Sequence, residues 1–139
     1  MRGDFDIPTI YAGIATRLAT VSPALRIYKT FPFTIDPPAA FFNVEEVKYD
    51  TAMNQDAVDL IILIMIATQF GSDRGETQLL EYMKPSGSSS VPNAIDLDET
   101  LNGSVSYSNI SRSRPVQILD HGGAQFYVVP FELIVGIGK

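Results

Sequence analysis

Apolar positions along the chain switch between a helical and a strand period, and those switches outline the elements. From Asp6 or Pro8 to about Val21, the residues Ile7, Ile10, Tyr11, Ile14, Leu18 and Val21 fall on one face of a helix. Pro8 suits the first turn, where its missing N–H costs nothing. Ser22-Pro23 ends the helix, because the residue before proline is pushed out of the α region. A short strand from Leu25 to Tyr28 follows. Residues 29–40 then carry three prolines, which exclude a central strand or a helix interior. This is an extended connection that must place Phe31, Phe33 and Ile35, either folded back on their own core or docked on a neighbouring chain.

Phe41 to about Tyr49 reads as a partly exposed strand, with Asn43, Glu45, Glu46 and Lys48 as its polar positions. Ala57 to Ala67 is the strongest strand. Val58, Leu60, Ile62, Ile64 and Ile66 form one face, and Ile61, Leu63 and Met65 the other. Apolar residues on both faces imply cover on both faces, hence a central strand; a buried helix is the alternative that the Ile-rich content disfavours. Gly71-Ser72-Asp73 opens a helix with Asp73 and Glu76 as a capping-box pair, with Leu79, Leu80 and Met83 along one side and Lys84-Pro85 at its end. The polar loop Ser86–Ser90 leads to a short helix that Ser90 caps, with Val91, Ala94 and Ile95 inward. The last third is β: Val105 to about Arg112, then Val116–Asp120, then Ala124–Ile137. Asp120-His121-Gly122-Gly123 is a hairpin signal, and Pro130 marks a bulge or an edge. The predicted architecture is a single α+β domain spanning 1–139. A mixed or antiparallel sheet packs against two main helices and a short third one, and loops 29–40 and 86–90 are connections.

Composition removes whole classes of function. The 139 residues carry a net charge of −6 and 19% charged residues. An acidic chain of this kind is not built to grip nucleic acid or an anionic membrane by its charge. With no Cys there is no disulfide, no thiolate nucleophile and no thiolate metal site. The apolar run Leu60–Ala67 is far short of the roughly 18–20 residues of a membrane span. No signal-peptide core precedes it, so a soluble protein made in a cytoplasm is expected. Arg2-Gly3-Asp4 and the glycosylation-like Asn102-Gly-Ser and Asn109-Ile-Ser are short enough to arise by chance.

Candidate chemistry is thin. His121 is the one imidazole, at a hairpin tip open to water, and reads as part of a turn. Asp96, Asp98 and Glu99 lack the spacing of a calcium loop and read as a solvated segment. Gly71-Ser-Asp-Arg-Gly75 lacks the Lys-Ser/Thr ending of a phosphate loop. Arg112 and Arg114 alternate on a strand and so point the same way, as one side of an inter-subunit ion pair or as plain surface. No catalytic residue, cofactor site or metal site is expected.

The order of pieces from Glu76 to Val105 adds a resemblance. A helix with Leu79-Leu-Glu-Tyr82 runs into Ser86-Gly-Ser-Ser-Ser-Val91, then Ala94-Ile95, then Thr100-Leu-Asn-Gly-Ser-Val105, a hairpin and a long final strand. This resembles the tail terminator, or tail completion, proteins of long-tailed bacteriophages. Their Thr-Leu-Gly-Gly-x-Val pattern stands here with Asn102 in place of the first Gly, and Asn is the next-best residue at positive φ. The likeness covers residues 57–139 well and the first 56 in outline. It implies a structural virion protein: a six-fold ring that caps the tail tube, ends elongation and joins the tail to the neck proteins. It implies no catalysis. The partners would be further copies, the tail tube and neck or connector proteins. DNA would pass through an acidic lumen without specific binding, since carboxylates repel phosphate. Its place would be the virion, after assembly in the host cytoplasm, with no membrane partner. On this reading Phe31, Phe33, Ile35, Arg112 and Arg114 are the candidate interface residues. A connector or neck protein of the same virion is the nearest alternative. A small ligand-binding or hydrolytic domain using His121 with Asp120 is the alternative from another class.

Overall fold

The computed structural model describes residues 6–21, 25–28, 34–49, 58–71, 73–101, 103 and 105–137. Among these residues it forms an α+β domain of three helices and a six-stranded mixed sheet. The helices are α1 (Ile7–Leu18), α2 (Asp73–Tyr82) and α3 (Val91–Asp96). The strands are β1 (Arg26–Tyr28), β2 (Ala39–Tyr49), β3 (Val58–Gln69), β4 (Tyr107–Ser113), β5 (Gln117–His121) and β6 (Ala124–Ile137). The order across the sheet is β1-β2-β3-β6-β4, with β5 also on β6. β1 runs parallel to β2; the other pairings are antiparallel. None of the helices is long and apolar enough to cross a membrane.

β3 is central, as its two apolar faces predict. It pairs with β2 on one side and with β6 from Gln69–Phe126 to Val58–Ile137 on the other. Leu60, Ile62, Ile64 and Ile66 join Val129, Phe131, Leu133 and Val135 in the main core, which all three helices cover. α1 contributes Ile10, Ile14 and Leu18, and α3 contributes Val91, Ala94 and Ile95. Burying each of these aliphatic side chains is worth about 1.5–3 kcal/mol. Arg17 ties two helices together: its Nε donates to the Ala94 carbonyl at 2.9 Å, satisfying an acceptor at the end of α3.

Several local expectations change. α1 stops at Leu18, three residues short of Val21, and the Thr20 hydroxyl donates to the Arg17 carbonyl. Asp73 is the first residue of α2 and not its cap; with Glu76 it sits in the first turn, where negative charge suits the helix dipole. On α2 the buried positions are Gly75, Leu79 and Tyr82, while Leu80 turns outward. The apolar spacing places Leu80 with Leu79 and Met83 on one side, and the structure buries Tyr82 in its stead. Gly75 decides it, because a methyl there would sit 2.1 Å from the Gln69 carbonyl oxygen, so this side of the helix lies flush on the end of β3. Positive φ falls at Leu101 and Gly103; Asn102 lies outside the described residues. Ser90 caps α3 as expected, accepting from the Asn93 N–H at 3.0 Å.

Pro130 marks neither a bulge of its own strand nor an edge. It sits inside β6, opposite Met65 of β3. Its carbonyl accepts the Arg114 N–H at 2.7 Å, so its missing N–H would face that same side. The chain opposite it breaks there into β4 and β5, which therefore share one edge of β6 end to end.

Candidate functional site

The sheet's second face, away from the helices, holds a connected set of four charged side chains. Glu132 is the origin. It lies mid-strand in β6, flanked by Phe131 and Leu133, and is only 7% exposed. A carboxylate there needs partners to stay ionised. Arg112 supplies Nε and Nη2, both 2.9 Å from its Oε2, and Arg114 supplies Nε at 2.8 Å. Arg114 then extends Nη2 to the Glu45 carboxylate on β2. Since β3 and β6 lie between β2 and β4, this chain of side chains straps the second face across four strands.

Both ends of the strap rest on irregular pairing. The β4–β6 register shifts between Ile110 and Arg112, and the β2–β3 register shifts between Val44 and Glu46. One extra residue re-aims the side chains that follow it. In β4 this brings Arg112 opposite Glu132; in β2 it makes Glu45 the inserted residue. The charges respond accordingly. Hydrogen bonds from Arg112 first and Arg114 second hold the Glu132 carboxyl below its ordinary value, against the opposing effect of burial. Hydrogen bonding to Glu45, then to Glu132, raises Arg114.

Arg112 and Arg114 thus meet on one face, as their spacing predicted, and the acidic group they meet is on their own chain. Arg112 remains 69% exposed at its side chain and retains a free outer flank. Ile35 is buried against Ala39, Phe41, Ala67, Phe126 and Val128 in a small cluster on this same face. Phe31 and Phe33 lie outside the described residues. Sequence reasoning missed Glu132 and Glu45. A lone acid inside the apolar run Val128–Ile137 was the available signal, because such a residue implies a basic partner.

Asp120 and His121 are consecutive in β5, and the strand directs consecutive side chains to opposite faces. No group of three His, Cys, Asp or Glu side chains gathers around a metal-sized space among the described residues. A cleft of about 250 Å³ between the Pro37–Pro38 segment and the start of α2 is lined by Gln69, Arg74 and Gln78.

Two sheet edges complete the picture. β4 is flanked by α3 and by the turn before it, where the Ser108 hydroxyl donates to the Glu99 carbonyl at 2.8 Å. β5 has no such neighbour among the described residues, and Val116 and Ile118 beside it are 43% and 57% exposed. At the far side of the sheet β1 forms the other edge. No protein-family model matches the sequence, and no characterised protein matches it significantly.

Proposed function

We propose that the chain is a structural subunit of a phage tail, a terminator that closes into a ring on the end of the tail tube and meets the neck proteins there. The observation that carries this reading is that, among the described residues, one sheet ends in two unlike edges, β1 on one side and β5 on the other. A subunit that joins by two different surfaces assembles head to tail, and such contacts close into rings when the rotation per subunit allows it. The exposed apolar pair Val116 and Ile118 on one edge supports an interaction role. The likeness of residues 57–139 to tail terminators supplies the specific identity, and the Ser/Gly loop with its capped helix α3 and the Thr100–Val105 turn are the parts that bear it. The net charge of −6 suits a lumen that lets DNA slide past.

Mass photometry of the purified chain over a concentration series, with negative-stain images of the same samples, tests the reading. A closed ring of six with a central hole is the expected result. The same measurement with tail tubes added separates a terminator from a connector, because a terminator binds the tube end. A chain that stays monomeric alone and ignores tube ends defeats the proposal.

A further inference from the structure

We propose that a cleft between the end of α1, the Ser86–Ser90 loop and α3 takes the side-chain carboxylate of an acidic, partly apolar segment of a partner protein, with Arg17 as the anchor. The proposal stands apart from the ring reading. The cleft measures about 260 Å³, and Arg17, Ser88, Asn93 and Leu97 are among its walls. Arg17 is half-buried and its orientation is fixed, because Nε donates to the Ala94 carbonyl at 2.9 Å. Its two Nη groups make no hydrogen bond among the described residues, and no described carboxylate pairs with it. The end of α1 and the Ala94 carbonyl offer it partial negative charge only. A guanidinium partly withdrawn from water lacks a full counter-ion here, and supplying one is favourable. The free Nη pair is the fork that grips a planar carboxylate through two parallel N–H bonds.

The rest of the cleft fits such a group. Asn93 commits only its backbone, the N–H to the Ser90 hydroxyl at 3.0 Å and the carbonyl to the Leu97 N–H at 3.1 Å, so its side-chain amide is open. The Ser88 hydroxyl likewise has no partner among the described residues. No Asp or Glu is among the described lining residues, so nothing there neutralises Arg17 or repels an incoming anion. Arg17 is also the one cation in that lining. A phosphate dianion would meet it alone against a net charge of −6, whereas a single carboxylate asks for one cation. The volume falls short of the roughly 300–1,000 Å³ of small-molecule pockets, so the cleft suits one side chain presented by a polypeptide. Leu97, 68% exposed on the rim, gives the residue beside that carboxylate an apolar surface to cover.

Saturation-transfer NMR of N-acetyl-Leu-Glu-amide and N-acetyl-Leu-Gln-amide with the full chain tests this. The Glu peptide is expected to bind saturably at millimolar concentration, about tenfold more tightly than the Gln peptide. Arg17→Gln should erase that difference. Ser88→Glu tests the site without removing Arg17: its own carboxylate should fill the cleft, raise the melting temperature and abolish peptide binding. Equal binding of the two peptides, binding of neither, or full binding by Ser88→Glu would overturn the proposal. Inorganic phosphate that displaces the Glu peptide at equal concentration would overturn the carboxylate and make the cleft a phosphate site. Peptide binding that vanishes when the chain alone is concentrated and associates would overturn a separate partner and assign the cleft to a second copy.

Discussion

Arg114, at the break between β4 and β5, grips Glu45 on β2 with two strands lying between their backbones. The contact is anchored midway by Glu132, which Arg114 Nε also reaches at 2.8 Å. An exposed ion pair is worth under about 1 kcal/mol, yet Glu132 sits within a central strand where losing a partner leaves a polar group poorly satisfied. The strap therefore stands between a surface ornament and a buried network, and its middle member should dominate its energetics.

Glu132→Gln keeps the shape and removes the charge that three guanidinium N–H groups share. Hydrogen bonds to charged groups contribute about 1.5–3 kcal/mol, so a stability loss in that range is expected in urea unfolding. Arg112→Ala withdraws two of those three N–H groups from the same buried carboxylate, so a loss of similar size is expected. Losses under about 1 kcal/mol from both variants would show that the network acts as surface charge alone.

Acid should weaken the fold through the same residue. Glu132 has a folded pKa below its ordinary value of 4.5. The unfolded chain thus takes up this proton at a higher pH than the native one. The stabilisation is present above the unfolded value and is lost as pH falls through the lower folded value. The melting temperature is expected to drop below about pH 4.5. The acid slope should be shallower in Glu132→Gln, and an identical slope in the two proteins would assign acid sensitivity to other carboxylates.

Gly13 lies on the buried side of α1, where glycine is ordinarily a poor choice. Alanine at an open helix position gains about 1 kcal/mol over glycine. Here the new methyl would sit 2.3 Å from the carbonyl oxygen of Leu101, itself held at φ 48° and fully buried. Gly13→Ala should therefore destabilise, by about 1–3 kcal/mol, as forced overpacking does. A stabilised variant would mean that α1 and the Leu101 turn separate readily.

Ser90 joins the loop after α2 to the start of α3. Its hydroxyl accepts from Asn93 N–H and donates to the Lys84 carbonyl, and the residue is buried. Ser90→Ala should cost up to about 2 kcal/mol, the upper end for a helix cap, because a second bond is lost with it. Thermal melts of this variant and of Ser86→Ala, on the exposed part of the loop, make the comparison.

Thr68 offers a change of opposite sign. Its Oγ1 is buried and has no hydrogen-bond partner among the described residues. An unsatisfied buried hydroxyl costs about 1–3 kcal/mol by mutational measure, so Thr68→Val should raise stability by about 1 kcal/mol. A loss instead would point to a water or a partner group at that hydroxyl.

Most elements could be read from the chain because their causes are local. The unbroken apolar run from Leu60 to Met65, which fills both faces, marked a central strand, and Ser90 with Pro92 marked the start of α3. Two glycines between alternating runs marked the β5–β6 turn. Each depends on residues a few positions apart, where steric preference and hydrogen-bonding chemistry act directly. What only the tertiary structure decided is which distant residues meet. Arg112 and Arg114 were visible as a pair, but their partners Glu132 and Glu45 depend on two register shifts, at Ile110/Arg112 and Val44/Glu46. A single inserted residue changes the face to which later side chains point, and nothing local announces it. The same holds for α2, where the apolar spacing put Leu80 on one side with Leu79 and Met83, and the close approach of Gly75 to Gln69 turned Leu80 outward and buried Tyr82. Periodicity tells a residue that it has an inside; only packing against the rest of the chain tells it which inside that is.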